Sequence, residues 1–340
     1  MKSIVIEAAG EMAVTHDRQM PELKPNEVLV KIEYVGFCGS DLNTFRGLNP
    51  MVKLPVIPGH EIGGTIASIG SDVPEGMFTE GMHVTVNPYT NCGKCSSCRN
   101  GRVNACRNNA TLGVQRNGAM CEYIALPWEK IIPAPGISTR DCALIEPMSV
   151  GFHAVDRAQV SDNDTVMVIG CGMIGMGAIV RATLRGATVI AVDLDDEKLD
   201  VATVMGAAYT INTSKNDAHT LIQEITDGDG PSVVIEAVGS PATYIQAFDE
   251  VAFAGRVVCI GYAKKEVPLR TQLFVQKELN IYGSRNALPA DFRAVIRYMS
   301  TGKCPVERLI SMIVEPDTAL NAMKTWVSDP GKVFRILVKF

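Results

Sequence analysis

The chain has 340 residues, longer than one hydrophobic core usually grows, which predicts two domains. Hydrophobic residues make up 46% and charged residues 20%, an ordinary globular balance, and a net charge of −5 argues against a nucleic-acid-binding surface. Because no apolar run is long enough to cross a membrane and the first residues carry no secretory signal, we expect a soluble, cytoplasmic protein without a membrane partner.

Short strands separated by glycine and proline are expected over about the first 150 residues. In EVLVKIEY the side chains of Val28, Val30, Ile32 and Tyr34 alternate with more polar neighbours, the pattern of a half-buried strand. Three further runs, EIGGTIASIG, HVTVNPY and EYIALP, are strand candidates of the same kind.

Two fragments of this region carry mixed metal-ligand types, GFCGSD with Cys38 and PGHE with His60 and Glu61. A second carboxylate, Glu146, follows in LIEPMSVGFHA. Taken singly, a cysteine or a histidine is more often a packing or surface residue. Together they offer a thiolate, an imidazole and a carboxylate, and three protein ligands with one open position are typical of catalytic zinc.

Four cysteines follow the pattern C-x2-C-x2-C-x7-C, at Cys92, Cys95, Cys98 and Cys106. Spacings this short let thiolates converge on a tetrahedral Zn²⁺, and four thiolates leave no position for substrate. The interpretation is therefore a structural zinc lobe, with an iron–sulfur cluster or four unrelated thiols as the alternatives.

After about residue 155 short apolar runs alternate with helix-like segments, a pattern that indicates a doubly wound parallel sheet. Six runs are candidate strands: TVMVIG, ATVIAVD, AAYTINT, SVVIEAV, GRVVCIG and LNIYGS. From about Pro289 the tail predicts two helices and a last strand, VFRILVKF, which returns to the first domain.

A G-x-G-x-x-G motif, Gly170 to Gly175, ends the first of these strands and opens a helix. In this context it predicts a dinucleotide site, with the pyrophosphate at the helix N-terminus. Asp193 closes the next strand and is the candidate acceptor for the ribose hydroxyls, which favours NAD over NADP; the alternative is that Asp193 caps a helix. Lys198 is a second candidate for a ribose contact.

These motifs, in this order, resemble the zinc-dependent medium-chain dehydrogenases of the alcohol, sorbitol and threonine dehydrogenase superfamily, and the resemblance covers essentially the whole chain. It implies an α/β protein with a GroES-like, β-rich catalytic domain, residues 1–152 and 287–340, which carries the zinc lobe at about 90–107. It also implies a Rossmann NAD-binding domain over residues 153–286.

The resemblance assigns the site residues one by one. Catalytic zinc ligands are Cys38, His60 and Glu61, with Glu146 as the acid that binds or approaches the metal in exchange with Glu61 or water. Ser40 begins the proton relay; the related pattern often has histidine where this chain has Asn43, so the relay beyond Ser40 stays open. The structural zinc takes the four lobe cysteines, which gives two zinc ions per chain. The coenzyme residues implied are Gly170, Gly172, Ile174, Gly175, Asp193, Lys198, Ile260, Gly261, Ser284 and Arg285.

The implied reaction is oxidation of a secondary alcohol to a ketone, or the reverse, by a zinc-dependent NAD(P) alcohol dehydrogenase. GSRNALPADF resembles the subgroup that acts on polyols and sugar acids such as galactonate and gulonate. The guanidinium of Arg285 could hold a carboxylate in two parallel hydrogen bonds; the alternatives are a contact with the cofactor or an ion pair at the domain interface. The alternatives are an L-threonine 3-dehydrogenase and a non-catalytic, NAD-binding regulatory protein. The resemblance also implies a homodimer or homotetramer.

Overall fold

The computed structural model describes residues 1–340, and the chain divides into two compact units. The first consists of Met1–Pro147 with Leu288–Phe340, and the second of Met148–Ala287. None of the helices combines the length and the apolarity that crossing a bilayer would require.

The first unit is built on β-strands, as its alternating sequence predicts. In the longest strand Val28, Val30 and Ile32 are buried and Lys31 is exposed, but Tyr34 is only half-buried because the strand register shifts after Ile32. The elements of its N-terminal part, in chain order, are β1 (Ser3–Ala8), β2 (Glu11–Thr15), β3 (Glu27–Phe37), α1 (Gly39–Phe45), β4 (Glu61–Ile69), β5 (His83–Val86), α2 (Ser96–Arg99), β6 (Tyr123–Pro127), β7 (Ile131–Pro133), α3 (Thr139–Cys142) and α4 (Ile145–Arg157). The division between the two units falls within α4, after Pro147.

The second unit confirms the predicted doubly wound sheet, since all six apolar runs form parallel strands. The strand order is β10-β9-β8-β11-β12-β13, so the order reverses beside β8, where such sheets bind ligands outside their carboxyl ends. The elements are β8 (Thr165–Ile169), α5 (Met173–Leu184), β9 (Thr188–Asp193), α6 (Asp196–Val204), β10 (Tyr209–Asn212), α7 (Ala218–Ile225), β11 (Val233–Glu236), α8 (Pro241–Glu250), β12 (Arg256–Cys259), α9 (Gln272–Gln276) and β13 (Asn280–Gly283).

The last segment returns to the first unit, as predicted, and its final strand pairs antiparallel with β3. The prediction of two helices was incomplete, because a short third helix and a further strand are also present. The elements are α10 (Pro289–Met299), α11 (Val306–Leu309), β14 (Met312–Val314), α12 (Ala319–Ser328) and β15 (Ile336–Lys339). The resulting seven-stranded sheet has the order β14-β15-β3-β4-β5-β7, and β6 also pairs with β3.

Candidate functional site

Three side chains of different ligand type meet in the first unit. Cys38 lies between β3 and α1, His60 immediately precedes β4, and Glu61 is the first residue of that strand. One ligand atom from each lies within 4.8 Å of the other two. The structure therefore brings together the thiolate, the imidazole and the carboxylate that the sequence singled out.

The backbone before β4 explains how two successive residues reach one point. Neighbouring side chains on a regular strand point to opposite faces, so His60 and Glu61 require a departure from strand geometry. Gly59 supplies it with a φ of +96°, and the strand begins only at Glu61. A β-carbon at Gly59 would also lie 2.7 Å from a Val35 methyl carbon and 2.8 Å from Met120 Cγ, so only glycine fits there.

The donor set fits a metal ion. Glu61 Oε1 and His60 Nδ1 are buried without a hydrogen-bond partner, although buried polar groups are normally paired, and Glu61 Oε2 is compensated only by the ion pair with Arg335. Burial raises the pKa of Glu61 to about 7; Arg335 opposes the rise and Glu146 adds to it. A cation among these three side chains would compensate the buried carboxylate and the unpaired nitrogen.

Glu146 lies in the first turn of α4 but is not one of the three clustered ligands. Its Oε1 accepts a hydrogen bond from the hydroxyl of Tyr89, which is itself buried and packs edge-on against Phe292 with ring centroids 6.5 Å apart. In this structure Glu61, and not Glu146, accompanies Cys38 and His60.

Two buried charged residues that the sequence did not single out support the cluster. The Asp41 carboxylate accepts the backbone N–H groups of Cys38, at 2.8 Å, and Gly59, at 3.4 Å, and so ties the two ligand segments together. Arg335 Nε lies 3.1 Å from Glu61 Oε2, and its Nη1 donates to the Phe37 carbonyl at 2.7 Å. Asp41 lies within the GFCGSD fragment, but nothing in the sequence links Arg335 to Glu61.

Ser40, the predicted start of a proton relay, occupies the first turn of α1, two residues after Cys38. Its hydroxyl oxygen is buried without a hydrogen-bond partner, whereas its backbone carbonyl accepts the Thr44 hydroxyl at 2.8 Å. The hydroxyl is therefore free to bond a ligand beside the cluster.

The four lobe cysteines also meet, with all their sulfur atoms within 4.8 Å of one another. Backbone N–H groups of Cys92 and Asn108 both donate to Cys106 Sγ at 3.3 Å. The Ser97 hydroxyl and backbone N–H groups lower the pKa of Cys95 to about 5, whereas burial and the neighbouring thiols raise the pKa of Cys98 to about 11, so Cys95 ionises before Cys98. The arrangement fits a four-thiolate zinc site in which no coordination position is open.

The glycine motif lies where β8 passes into α5. Gly170 has a φ of +94°, and a β-carbon on Gly175 would lie 1.8 Å from the Gly170 carbonyl oxygen. A β-carbon on Gly172, the N-cap of α5, would meet nothing within 4 Å. The first and third glycines are thus required by the chain itself, while the second leaves open space at the helix N-terminus, as binding of a pyrophosphate requires.

Asp193 ends β9 beside this loop. Its Oδ2 accepts the Cys171 N–H at 2.7 Å and its Oδ1 accepts the Leu194 N–H at 2.7 Å, so the carboxylate is fixed between the loop and the strand. The alternative that Asp193 caps a helix is wrong, because the N-cap of α6 is Asp195, which accepts from the Glu197 and Lys198 N–H groups.

The other predicted coenzyme residues belong to the same unit. Ile174 lies in the first turn of α5, and Lys198 is buried in α6. Ile260 and Gly261 directly follow β12, and the backbone N–H of each donates to the Glu236 carbonyl. Ser284 follows β13 with its hydroxyl oxygen buried and unpartnered, and Arg285 is half-buried next to it.

Two family models match the chain over most of its length. The alcohol dehydrogenase GroES-like domain matches residues 24–136, and the zinc-binding dehydrogenase model matches residues 174–301. The matches confirm the predicted combination of a GroES-like domain with a Rossmann domain.

Curated relatives and solved structures agree with these matches. The chain is 33% identical to an L-galactonate-5-dehydrogenase of Escherichia coli K12, with 88% of this chain and 87% of the relative covered. It is also 33% identical to a sorbitol dehydrogenase of Halalkalibacterium halodurans, with 97% and 96% covered. An alcohol dehydrogenase of E. coli CFT073 solved with NADH superposes with a TM-score of 0.89 at 30% identity, over 100% of this chain and 99% of the other.

Proposed function

This chain belongs to the zinc-binding alcohol dehydrogenase family and is an oxidoreductase, and we propose that it interconverts a secondary alcohol of a polyol or sugar acid and the corresponding ketone, with NAD as hydride carrier. The observation that carries the proposal is the meeting of Cys38, His60 and Glu61, whose three ligand atoms lie within 4.8 Å of one another. Three ligands are one fewer than a tetrahedral zinc ion takes, so a fourth position would be open to substrate. A purely structural zinc site would have no reason to leave that position open.

In this proposal Cys38, His60 and Glu61 hold the catalytic zinc, and the four lobe cysteines hold the structural one. Bound to the first set, zinc supplies Lewis acidity of the kind that lowers the pKa of bound water from about 15.7 to about 7. Asp41 fixes the backbone of both ligand segments, so the three donors are held in place before substrate arrives. Tyr89 holds Glu146 outside the ligand set.

The protein's own groups then orient the substrate and move its proton. The unpartnered Ser40 hydroxyl is the group placed to accept a hydrogen bond from the substrate hydroxyl and to relay the proton, taking it up as its own hydroxyl proton passes on. Since Asn43, three residues further along α1, cannot titrate, the proton has to leave Ser40 by water or by another group.

The second unit binds the coenzyme, which supplies the hydride chemistry. The open space at Gly172 receives the pyrophosphate, and the fixed Asp193 carboxylate accepts the adenosine ribose hydroxyls. A carboxylate at that position repels the 2′-phosphate of NADP, and Asp195 adds negative charge, whereas Asp196 is paired with Lys215; NAD is therefore favoured.

A screen for NADH formation tests the proposal, with zinc-loaded protein and a panel of polyols, aldonates and L-threonine. We expect turnover of at least one polyol or aldonate that carries a secondary alcohol, and loss of turnover in Cys38→Ala. Cys304→Ala, which removes a thiol outside both clusters, is the control for cysteine loss. Turnover of threonine alone would assign an L-threonine 3-dehydrogenase, and NADH binding without any turnover would assign a regulatory protein.

A further inference from the structure

A cavity in the first unit is lined by positive charge and by no carboxylate. Its volume is about 450 Å³, and it lies between the segment that precedes His60 and the loop that follows the cysteine lobe. Met51, Lys53 and Val56 line one side, and Val114, Gln115 and Arg116 the other. In a protein with a net charge of −5, a cavity with two cations and no acid is a distinct electrostatic feature.

Neither cation is neutralised by the protein. Arg116 is half-buried, and its one hydrogen bond runs from Nε to the Ala110 carbonyl at 3.2 Å, so the terminal nitrogens of the guanidinium stay available. Lys53 is exposed and forms neither a hydrogen bond nor an ion pair. Burial lowers the pKa of Arg116. Lys130 lies close enough to Arg116 to feel its charge. Burial and, to a smaller extent, the charge of Arg116 lower the pKa of Lys130, and Glu129 partly offsets this decrease. Lys130 is therefore a third cation that adds to the positive potential.

The walls of the cavity are hydrogen-bonded to the segment that leads to the candidate metal ligands. The Ile57 N–H donates to Asn117 Oδ1 at 3.0 Å, and the Ala119 N–H donates to the Gly59 carbonyl at 2.9 Å. Val56, on the cavity wall, precedes His60 by four residues, a span of at most roughly 13 Å even if the chain were fully extended. That span is within the combined reach of a long cationic side chain and a five- or six-carbon acyclic substrate.

We propose that Lys53 and Arg116 form a subsite for the anionic end, a carboxylate or a phosphate, of an acyclic polyol whose secondary hydroxyl reaches Cys38, His60 and Glu61. The inference rests on the proposed function and narrows its substrate class to anion-bearing polyols. Arg116 would bind two oxygens of the anion through its planar guanidinium, and Lys53 would add a point charge from the solvent side.

The subsite has a consequence for selectivity. Hydrogen bonds to charged groups are strong enough that the loss of one weakens binding by about tenfold or more. Such a contact would hold one end of the substrate equally well in the ground state and in the transition state. Its loss should therefore raise KM and leave kcat nearly unchanged. Substrates that differ only in the terminal anion should therefore differ mainly in KM.

The test compares galactitol, galactitol 1-phosphate and L-galactonate as substrates of the zinc-loaded full chain with saturating NAD⁺. The variants are Lys53→Gln and Arg116→Gln, and the matched controls are Lys31→Gln and Arg293→Gln, which remove exposed cations elsewhere in the same unit. We expect the wild type and both controls to have at least tenfold higher kcat/KM for one anionic substrate than for galactitol. In each subsite variant that advantage should fall about tenfold, through KM. The phosphate and carboxylate arms show which anion the subsite prefers.

A second measurement separates failure of the subsite from failure of the proposed function. Inorganic phosphate and acetate are titrated calorimetrically into the same proteins with NAD⁺ bound, and one of the two anions should bind the wild type at least tenfold more tightly than either subsite variant. Turnover of galactitol that equals or exceeds that of both anions would overturn the subsite and leave the proposed function intact, as would an anion preference unchanged in Lys53→Gln. If neither these three compounds nor any other member of the polyol and aldonate panel is turned over, the proposed function fails, and the subsite stands or falls with the titration. Lys53 is exposed, so this variant keeps the test valid even if Arg116→Gln fails to fold.

Discussion

Two roles of glycine in the G-x-G-x-x-G turn can be separated experimentally, because Gly172 and Gly175 have different surroundings in the structure. A β-carbon on Gly175 would lie 1.8 Å from the Gly170 carbonyl oxygen, far inside the 3.4 Å at which ordinary contact begins. A β-carbon on Gly172 would meet no protein atom within 4 Å, and its φ of −74° is open to any residue. We therefore expect Gly175→Ala to destabilise the protein and Gly172→Ala to weaken coenzyme binding.

Overpacking of this kind costs about 1–3 kcal/mol, which corresponds to a decrease of roughly 4–10 °C in the unfolding midpoint of a unit of this size. For Gly172→Ala the loss of a glycine N-cap and the gain from a stiffer unfolded chain nearly cancel, so stability should change by less than about 1 kcal/mol. Its methyl group would occupy the space proposed for the pyrophosphate, and we expect NADH to bind at least about tenfold more weakly.

Thermal unfolding followed by circular dichroism measures the first effect, and a fluorescence titration with NADH measures the second. The reasoning is refuted if Gly172→Ala binds NADH like the wild type, or if Gly175→Ala unfolds at the wild-type temperature. Equal loss of stability in both variants would contradict the separate roles of the two glycines.

Three further predictions concern single side chains. Asp193→Asn keeps an oxygen for the Cys171 N–H but removes the charge, so the preference for NADH over NADPH should fall at least about tenfold in fluorescence titrations. An unchanged ratio of the two dissociation constants would contradict the charge argument. Tyr89→Phe removes the donor to buried Glu146 and should cost about 1–3 kcal/mol in chemical unfolding, against less than about 0.5 kcal/mol for Tyr123→Phe; equal effects would show that the bond adds nothing. Buried Asp164 is held by the Ser161 N–H, the Ser232 hydroxyl and Arg256, which together outweigh burial and lower its pKa. Because the pKa of Asp164 is lower in the folded than in the unfolded state, the ionised carboxylate stabilises the folded protein fully above the unfolded pKa of about 3.9. This stabilisation is lost as the pH falls through the folded-state pKa. Asp164→Asn should therefore cost about 2–3 kcal/mol at pH 7 and progressively less below about pH 4, and a cost independent of pH would refute the charge pairing.

The fold was largely predictable because its signals are local. Six apolar runs separated by helix-like segments dictate a parallel sheet, since each strand is buried on both faces. The tail was predicted less completely, because β14 has only three residues and no central buried position. Strands that short carry no readable alternation.

The candidate site was predictable where its residues are close in sequence or of unusual type. Closely spaced cysteines and the Gly59–His60–Glu61 turn are visible in the sequence alone. Arg335 was not, because it contacts the Phe37 carbonyl across 298 positions of the chain and its role exists only once β15 lies against β3. Tyr89 was missed for a related reason, since a tyrosine in a strand-like run is usually a packing residue until its hydroxyl is seen to face a buried carboxylate.

Zinc content tests the central claim most directly, because that claim is a chemically open zinc site distinct from the four-cysteine lobe. Mass spectrometry of the purified protein after removal of free metal should give two zinc ions per chain in the wild type and in Cys304→Ala, and one in Cys38→Ala. A single zinc ion in the wild type, retained in full by Cys38→Ala, would contradict the account.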